Sequence, residues 1–438
     1  MNTTEGLKRE IGLWGLTSNI VNVVIGSGIF VLPAIVSERL GAAGILAYLF
    51  CGFLIIVIML CFAEVGSKVT VTGGAYAYIE AAFGKYFGFL TTNIFVFGSS
   101  LMAASAVANA LANTVSYFIP LFSNPLPRAA FLITIFSLLA LVNVIGVKKG
   151  ITVVKVTTIA KLTPLLLLVV LGSTKVVTAN LLWQGIPDVS DLGKISLILF
   201  FAFQGAEGSL SISGEVKAPG KTVPRSIFLS FAIILLFYIA IQLVAQGILG
   251  DSFPNFKDAP LAEVAKRVMG PFGVTLMIAG AAISMIGYLS SDSMNMPRVL
   301  FRSAKDRVIP VKQLANVHHK FATPYVSIIF YASLCCFFSI IGEFRQLAIF
   351  ASSSALLIYL GVALAVIKFR LVKNADSSAF RIPGGYTIPI ISIITILWFL
   401  SNLTAKEITG LGIFVGLLSI LFLILSLLNI NDRSEKNG

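Results

Sequence analysis

Residues 20–33 read IVNVVIGSGIFVLP, and the chemistry they offer is that of the main chain. Gly26, Ser27 and Gly28 interrupt a stretch otherwise apolar enough for lipid, and Pro33 follows within two turns. Glycine costs about 1 kcal/mol in a helix relative to alanine. Irregular backbone at membrane depth survives only where protein buries it or where it faces a water-filled cavity. The spacing therefore predicts a helix that unwinds mid-membrane and presents bare N–H and C=O groups to a ligand, most commonly a transported one.

A second stretch repeats the pattern. Residues 197–216 read LILFFAFQGAEGSLSISGEV, with the interruption at Gly205, Ala206, Glu207 and Gly208. One such break is equally well explained by close helix packing at small residues. Two breaks at corresponding places point to a shared site. Free N–H groups at the start of a half-helix suit a carboxylate, because the helix dipole is positive there. Free carbonyls at the end of a half-helix suit an ammonium. Ser27, Gly28 and Ile29 supply the donors, with the Ser27 hydroxyl; the carbonyls lie near Phe201, Ala202 and Gln204. A zwitterion bridges the two.

Ionisable groups inside apolar segments are costly and mark function or structure. Glu207 either caps the N–H groups freed in the second break or carries a proton. Lys161, in TTIAKLTPLLLLVV, must find an anion, a carbonyl or a water path. It is either a fixed cation tying the first apolar segment to the eighth, where another transporter would hold sodium, or a reversible proton site. Ser290, Ser291 and Asp292 in GYLSSDSMNMPR are candidate partners for it. Asp292 could instead face a pocket as counter-ion to a cationic side chain, or serve only as a helix-end charge. Phe201 and Phe203 flank the second break and Tyr288 lies in the eighth segment, placed to gate or line a pocket; Asn93, Asn109 and Asn113 could line a path through the third.

These groups need a membrane frame, and composition supplies it. The 438 residues are 57% hydrophobic and 12% charged, where soluble domains carry about 25% charged residues. A spanning helix needs roughly 20 apolar residues. Segments centred near residues 25, 53, 103, 135, 163, 203, 237, 283, 331, 357, 395 and 420 fill the chain, leaving no room for a soluble domain. The first segment is too long, and lacks the small-residue cleavage site, for a signal peptide. The net charge of +13 could suggest nucleic acid. Its distribution argues against that: with a cytoplasmic N-terminus, most Lys and Arg fall on the cytoplasmic side, in clusters at Arg298, Arg302, Lys305, Arg307, Lys312 and Lys320 and at Lys368, Arg370, Lys373 and Arg381. Cys51, Cys61, Cys335 and Cys336 sit in apolar segments, where a free thiol behaves as a small hydrophobe. No disulfide, metal or cofactor is expected, and His318 and His319 lack a third ligand nearby.

Each break opens a block of five segments. An odd number per block inserts the two with opposite topology, giving a five-plus-five inverted repeat: about 11–174, then about 193–371, with two extra helices at about 386–430. Pro-rich runs at 125–128, 218–225 and 381–389 read as connectors, and the tail NDRSEKNG as disordered. The expected fold is thus all-α and membrane-integral, with twelve transmembrane helices, the first and sixth discontinuous, forming one domain over 1–438.

Several motifs resemble the amino acid–polyamine–organocation (APC) superfamily: IGSGIFVLP in the first segment, FQGAEGSLSISGEVKAPGKTVPRSI around the sixth, PRVLFRSAKDRVIP after the eighth and GGAYAYIEAAFGK after the second. The resemblance runs in order along essentially the whole chain and implies the leucine-transporter architecture. It implies a site along Val24, Ile25, Gly26, Ser27 and Gly28, with the last three receiving an α-carboxylate. It implies that carbonyls of Val24, Phe201 and Gln204 receive the α-amino group, that Phe201 gates, and that Tyr288 lies near a substrate-holding aromatic. A lysine matching Lys161 occurs in proton-coupled and L-type members. Two departures matter: positions 201 and 288 lack the Trp of arginine/agmatine exchangers, and 119–128 lacks the cysteine that would tether an ancillary subunit.

The expectation is a secondary transporter of neutral amino acids, not an enzyme. It would sit in the cytoplasmic membrane of a bacterium-like cell with both termini cytoplasmic, driven by protons or by a counter-transported amino acid. The alternatives are a cationic amino acid or polyamine exchanger using Asp292, and a non-transporting amino acid sensor.

Overall fold

A computed structural model describes residues 11–69, 75–145, 151–183, 185–207, 216–305, 309, 311–371 and 380–434. Gly208, the rest of the sixth segment to residue 215, Arg307, Lys373 and the last four residues lie outside the described residues. Helices dominate: α1 (Leu13–Val24), α2 (Gly28–Leu40), α3 (Ile45–Lys68), α4 (Ala75–Phe83), α5 (Lys85–Asn93), α6 (Leu101–Phe118), α7 (Pro125–Ile145), α8 (Ile151–Gly172), α9 (Val189–Leu199), α10 (Pro219–Leu249), α11 (Pro260–Lys305), α12 (Tyr325–Ile341), α13 (Phe344–Leu371), α14 (Thr387–Ser401) and α15 (Ala405–Ser434). A π-helical stretch, Ile94–Ser100, joins α5 to α6. Among the described residues, seven helical stretches are long and apolar enough to cross a membrane, and α1, α12 and α14 are shorter apolar helices.

The proline runs at 125 and 218 are helix starts rather than connectors. Pro125 and Pro219 each open a helix, where a missing N–H removes nothing the helix would use. The run at 381–389 does turn, through Gly384 and Gly385 at positive φ. α11 is kinked at Gly270, whose φ is +66°.

Burial separates the core from the lipid face. The Lys85–Phe118 stretch has 83% of its apolar window buried, whereas α7 and α15 have 11% each, which places these two at the periphery. The inner helices α1, α3, α9 and α10 pack on one another, and α6, α8, α11 and α13 pack around them. Within a bilayer such packing relies on close van der Waals fit and buried hydrogen bonds, because lipid is as apolar as leucine.

Candidate functional site

The first break forms where sequence expects it. α1 ends at Val24, Ile25 turns out of helical geometry, and the Gly26 N–H closes back onto the Val24 carbonyl at 2.7 Å. α2 restarts at Gly28 with Ser27 as its N-terminal flank, and the Ser27 side chain does not cap it. The first main-chain bond of the new helix runs from the Phe30 N–H to the Ser27 carbonyl at 3.0 Å. The N–H groups of Ser27, Gly28 and Ile29 find no main-chain acceptor among the described residues. Three donors thus cluster at the positive end of a helix.

The second break lies slightly earlier than the glycines alone suggest. α9 tightens into a 3-10 turn over Phe200–Phe203, Gln204 is extended, and Gly205 takes φ +106°. Helical geometry resumes at Ala206 and Glu207. The Glu207 carboxylate accepts the Gly205 N–H at 3.0 Å, capping the turn. The Tyr359 hydroxyl lies beside that carboxylate but outside hydrogen-bond geometry. The Gln204 side chain reaches α13, donating to the Ser352 hydroxyl at 2.9 Å.

The two breaks touch. A methyl placed on Gly28 would lie 2.7 Å from the Ala202 Cβ, and one on Gly205 would lie 2.9 Å from Val23 Cγ1. Only glycine allows each approach, so the α2 donors stand directly against the end of the 3-10 turn.

A residue that sequence reasoning missed joins them. Tyr238 of α10 is fully buried, and its hydroxyl lies 3.1 Å from the Val24 carbonyl and 2.9 Å from the Ala202 carbonyl. Ser226 and Ser230 donate to the carbonyls of Leu13 and Thr17, both at 3.3 Å. Further along, Gln242 accepts from Tyr48 at 3.1 Å and Gln246 from Ser37 at 2.6 Å. The signal was present: Ser226, Ser230, Tyr238, Gln242 and Gln246 recur every four or eight residues in an otherwise apolar helix, a polar stripe that winds slowly around it.

Lys161 donates from Nζ to the Asn22 carbonyl at 2.5 Å, which ties α8 to α1. The expected partnership with 290–292 is not what the structure draws. The Asp292 carboxylate is buried and taken by other helices, accepting from Ser100 Oγ at 2.5 Å and from the Tyr331 hydroxyl at 2.8 Å. Ser290 and Ser291 are exposed, and Ser291 Oγ accepts from Asn295 at 3.5 Å. Tyr288 is partly buried, within electrostatic reach of Asp292 and Glu207. Phe201 is partly buried and meets Phe344 edge-on at 5.9 Å.

The asparagines divide by role. Asn109 donates to the carbonyls of Ser339 and Gly342 at the end of α12, at 2.7 and 2.8 Å, and Asn93 bonds its own helix at Phe89. His318 accepts the N–H groups of Lys320 and Phe321 through Nδ1 and so shapes a turn. All four cysteines are free.

A second unforeseen centre lies at the end of α3. Glu64 is fully buried and holds a two-pronged pair with Arg370, a bond to Lys68 at 2.9 Å and the Ile382 N–H at 2.9 Å. Arg370 also donates to the Gly385 carbonyl and lies 5.7 Å from the Tyr386 ring. Glu64 lies near the end of the apolar run of α3, and sequence reasoning gave it no role.

Residues 11–427 match the family model described as amino acid permease. The chain is 28% identical to the serine/threonine exchanger SteT of Bacillus subtilis, over 94% of this chain and 95% of that protein. It is 26% identical to the branched-chain amino acid permease BcaP of the same organism, over 91% and 89%. It is 27% identical to the human large neutral amino acids transporter small subunit 2, over 74% of this chain and 63% of that protein.

Proposed function

The chain belongs to the amino acid permease family, whose members are membrane transporters rather than enzymes, and from that premise we propose that it exchanges neutral amino acids across the cytoplasmic membrane by alternating access. The observation that carries this reading is the contact between the two breaks. The N–H groups of Ser27, Gly28 and Ile29, which find no main-chain acceptor among the described residues, stand against the 3-10 turn, an arrangement that suits a zwitterion. The α-carboxylate lies on Ser27, Gly28 and Ile29, and the α-ammonium on carbonyls of the Phe201–Gln204 turn. Phe201, hinged against Phe344, closes over the substrate.

Neutral substrates are favoured over cationic ones because the Asp292 carboxylate already accepts two hydroxyls, from Ser100 and Tyr331. Exchange is favoured by the named activity of the SteT relative. Proton symport is the second reading, favoured by Lys161: among the described residues its ammonium meets a main-chain carbonyl and no carboxylate. Sodium coupling is not proposed, since the Lys161 ammonium already ties α8 to α1.

The five-plus-five repeat is supported by neighbours that exchange in pairs. Swapping first block for second turns the α8–α11 contact into that of α13 with α6, and the α1–α10 contact into that of α9 with α3, and all four are present. The positive-inside bias supports cytoplasmic termini. No disulfide-tethered subunit is proposed, since 119–128 holds no cysteine.

The test is uptake into proteoliposomes across a panel of L-amino acids, with either internal amino acid or a pH gradient alone. Exchange gives uptake only with internal substrate. Gradient-driven uptake that Lys161→Ala removes establishes proton symport instead, and preferential uptake of lysine or arginine rejects the neutral assignment.

A further inference from the structure

We propose that Tyr238 is a positioning residue that sets the spacing between the carboxylate-binding and ammonium-binding halves of the site. The proposal rests on the transport reading above. The Tyr238 hydroxyl is the point on which one carbonyl from each interrupted helix converges, Val24 at 3.1 Å and Ala202 at 2.9 Å. Main-chain carbonyls of unwound helices aimed at one point are what transporters offer to a coupling cation. Here a phenol from a third helix occupies that point.

The ring itself is held by packing. Phe203 meets it edge-on at 5.3 Å and Tyr48 at 6.3 Å, so the oxygen is placed by contacts on both sides. Earlier on the same helix, Ser226 and Ser230 bind α1 before its break. α10 therefore carries α1 and the 3-10 turn as one body, with Tyr238 as the last stitch before each opens.

A phenol carries one proton, so the Tyr238 hydroxyl shares it between the two carbonyls, with the shorter contact to Ala202. The Val24 carbonyl also accepts the Gly26 N–H at 2.7 Å. In this proposal the carboxylate rests on the N–H groups of Ser27, Gly28 and Ile29, and the ammonium on carbonyls of the 3-10 turn. The two halves of the clasp then lie on separate segments, and the Tyr238 bridge fixes the distance between them. A zwitterion senses that distance; a ligand with only one charged end does not.

Tyr238→Phe removes the bridge and keeps the ring. Uptake of labelled L-serine, or of L-leucine where the wild type prefers it, is measured in proteoliposomes. Competitors are the matching amine (ethanolamine or 3-methylbutylamine) and acid (3-hydroxypropanoate or 4-methylpentanoate). The expected result is a KM for the amino acid raised about tenfold, the worth of one well-placed hydrogen bond, with a similar maximal rate. The inhibition constants of the amine and the acid stay within about twofold, because neither spans both halves. An unchanged KM, or parallel weakening of all three ligands, overturns the proposal. Tyr48→Phe, which removes a buried hydroxyl bonded to Gln242 on the same helix, is the control: an equal KM rise there would also overturn it. If the phenylalanine variant does not insert, 3,5-difluorotyrosine at position 238 keeps the ring and hydroxyl but makes the phenol a more acidic donor, and an unshifted KM is again contrary. A wild type that takes up neither amino acid rejects the transport reading instead.

Discussion

Gly28 packs so closely on Ala202 that a methyl at residue 28 would lie 2.7 Å from its Cβ and 2.9 Å from its Cα. Gly26, two residues earlier, is different: its nearest atom to such a methyl is the Val24 carbonyl oxygen at 3.8 Å, an ordinary contact. Glycine is required at 28 by the approach of another backbone, whereas at 26 no atom of the described residues excludes a side chain.

Gly28→Ala therefore separates the two breaks, whereas Gly26→Ala leaves them joined. Uptake by Gly28→Ala should fall at least about tenfold at equal protein level, as overpacking costs of order 1–3 kcal/mol. Thermal stability of the purified protein should drop for Gly28→Ala and hold for Gly26→Ala. Equal behaviour of the two variants in both assays would contradict the contact.

Glu207 acts through the Gly205 N–H, and glutamine keeps an acceptor for it. Glu207→Gln should retain uptake within about threefold, while Glu207→Ala loses a cap of about 1 kcal/mol and most activity. Loss of uptake in Glu207→Gln alone would indicate that the carboxyl proton, not the cap, is what matters.

Asp292 is committed to Ser100 and Tyr331. Asp292→Asn should leave discrimination between neutral and cationic amino acids unchanged in competition assays. Asp292→Ala strands two buried hydroxyls, at about 1–3 kcal/mol each, and should lower the melting temperature. A selective loss of lysine or arginine competition in Asp292→Asn would restore the counter-ion reading.

Arg370 and Glu64 form a buried pair joining α3, α13 and the 380–386 turn. Arg370→Met leaves the Glu64 carboxylate with Lys68 as its remaining cation and should destabilise by about 3 kcal/mol. Adding Glu64→Gln should recover much of that loss. Thermal denaturation of the two single variants and the double variant reads the coupling; additive losses would contradict it.

The frame and both breaks were legible in sequence because each rests on local chemistry. Glycine in an apolar helix, carboxylate in lipid and unbroken apolar length all report at single positions. What escaped depends on partners far away in the chain. Tyr238 looks like one more aromatic until Val24 and Ala202 are brought to it. Nothing near Asp292 in sequence names Ser100 or Tyr331, so Lys161 was the partner the sequence offered. Glu64 drew no notice because its main partner, Arg370, lies 306 positions further along the chain. The proline runs at 125 and 219 misled because proline is as much a helix opener as a breaker.

The account stands on a zwitterion seated at the first break, and cysteine protection tests this most directly. Gly26→Cys, in a background with the four native cysteines replaced and uptake verified, is exposed to a small thiol reagent in proteoliposomes. Saturating L-amino acid should slow its modification several-fold, whereas the matching amine alone should not. A labelling rate that does not change at concentrations saturating uptake would place the substrate elsewhere and contradict the account.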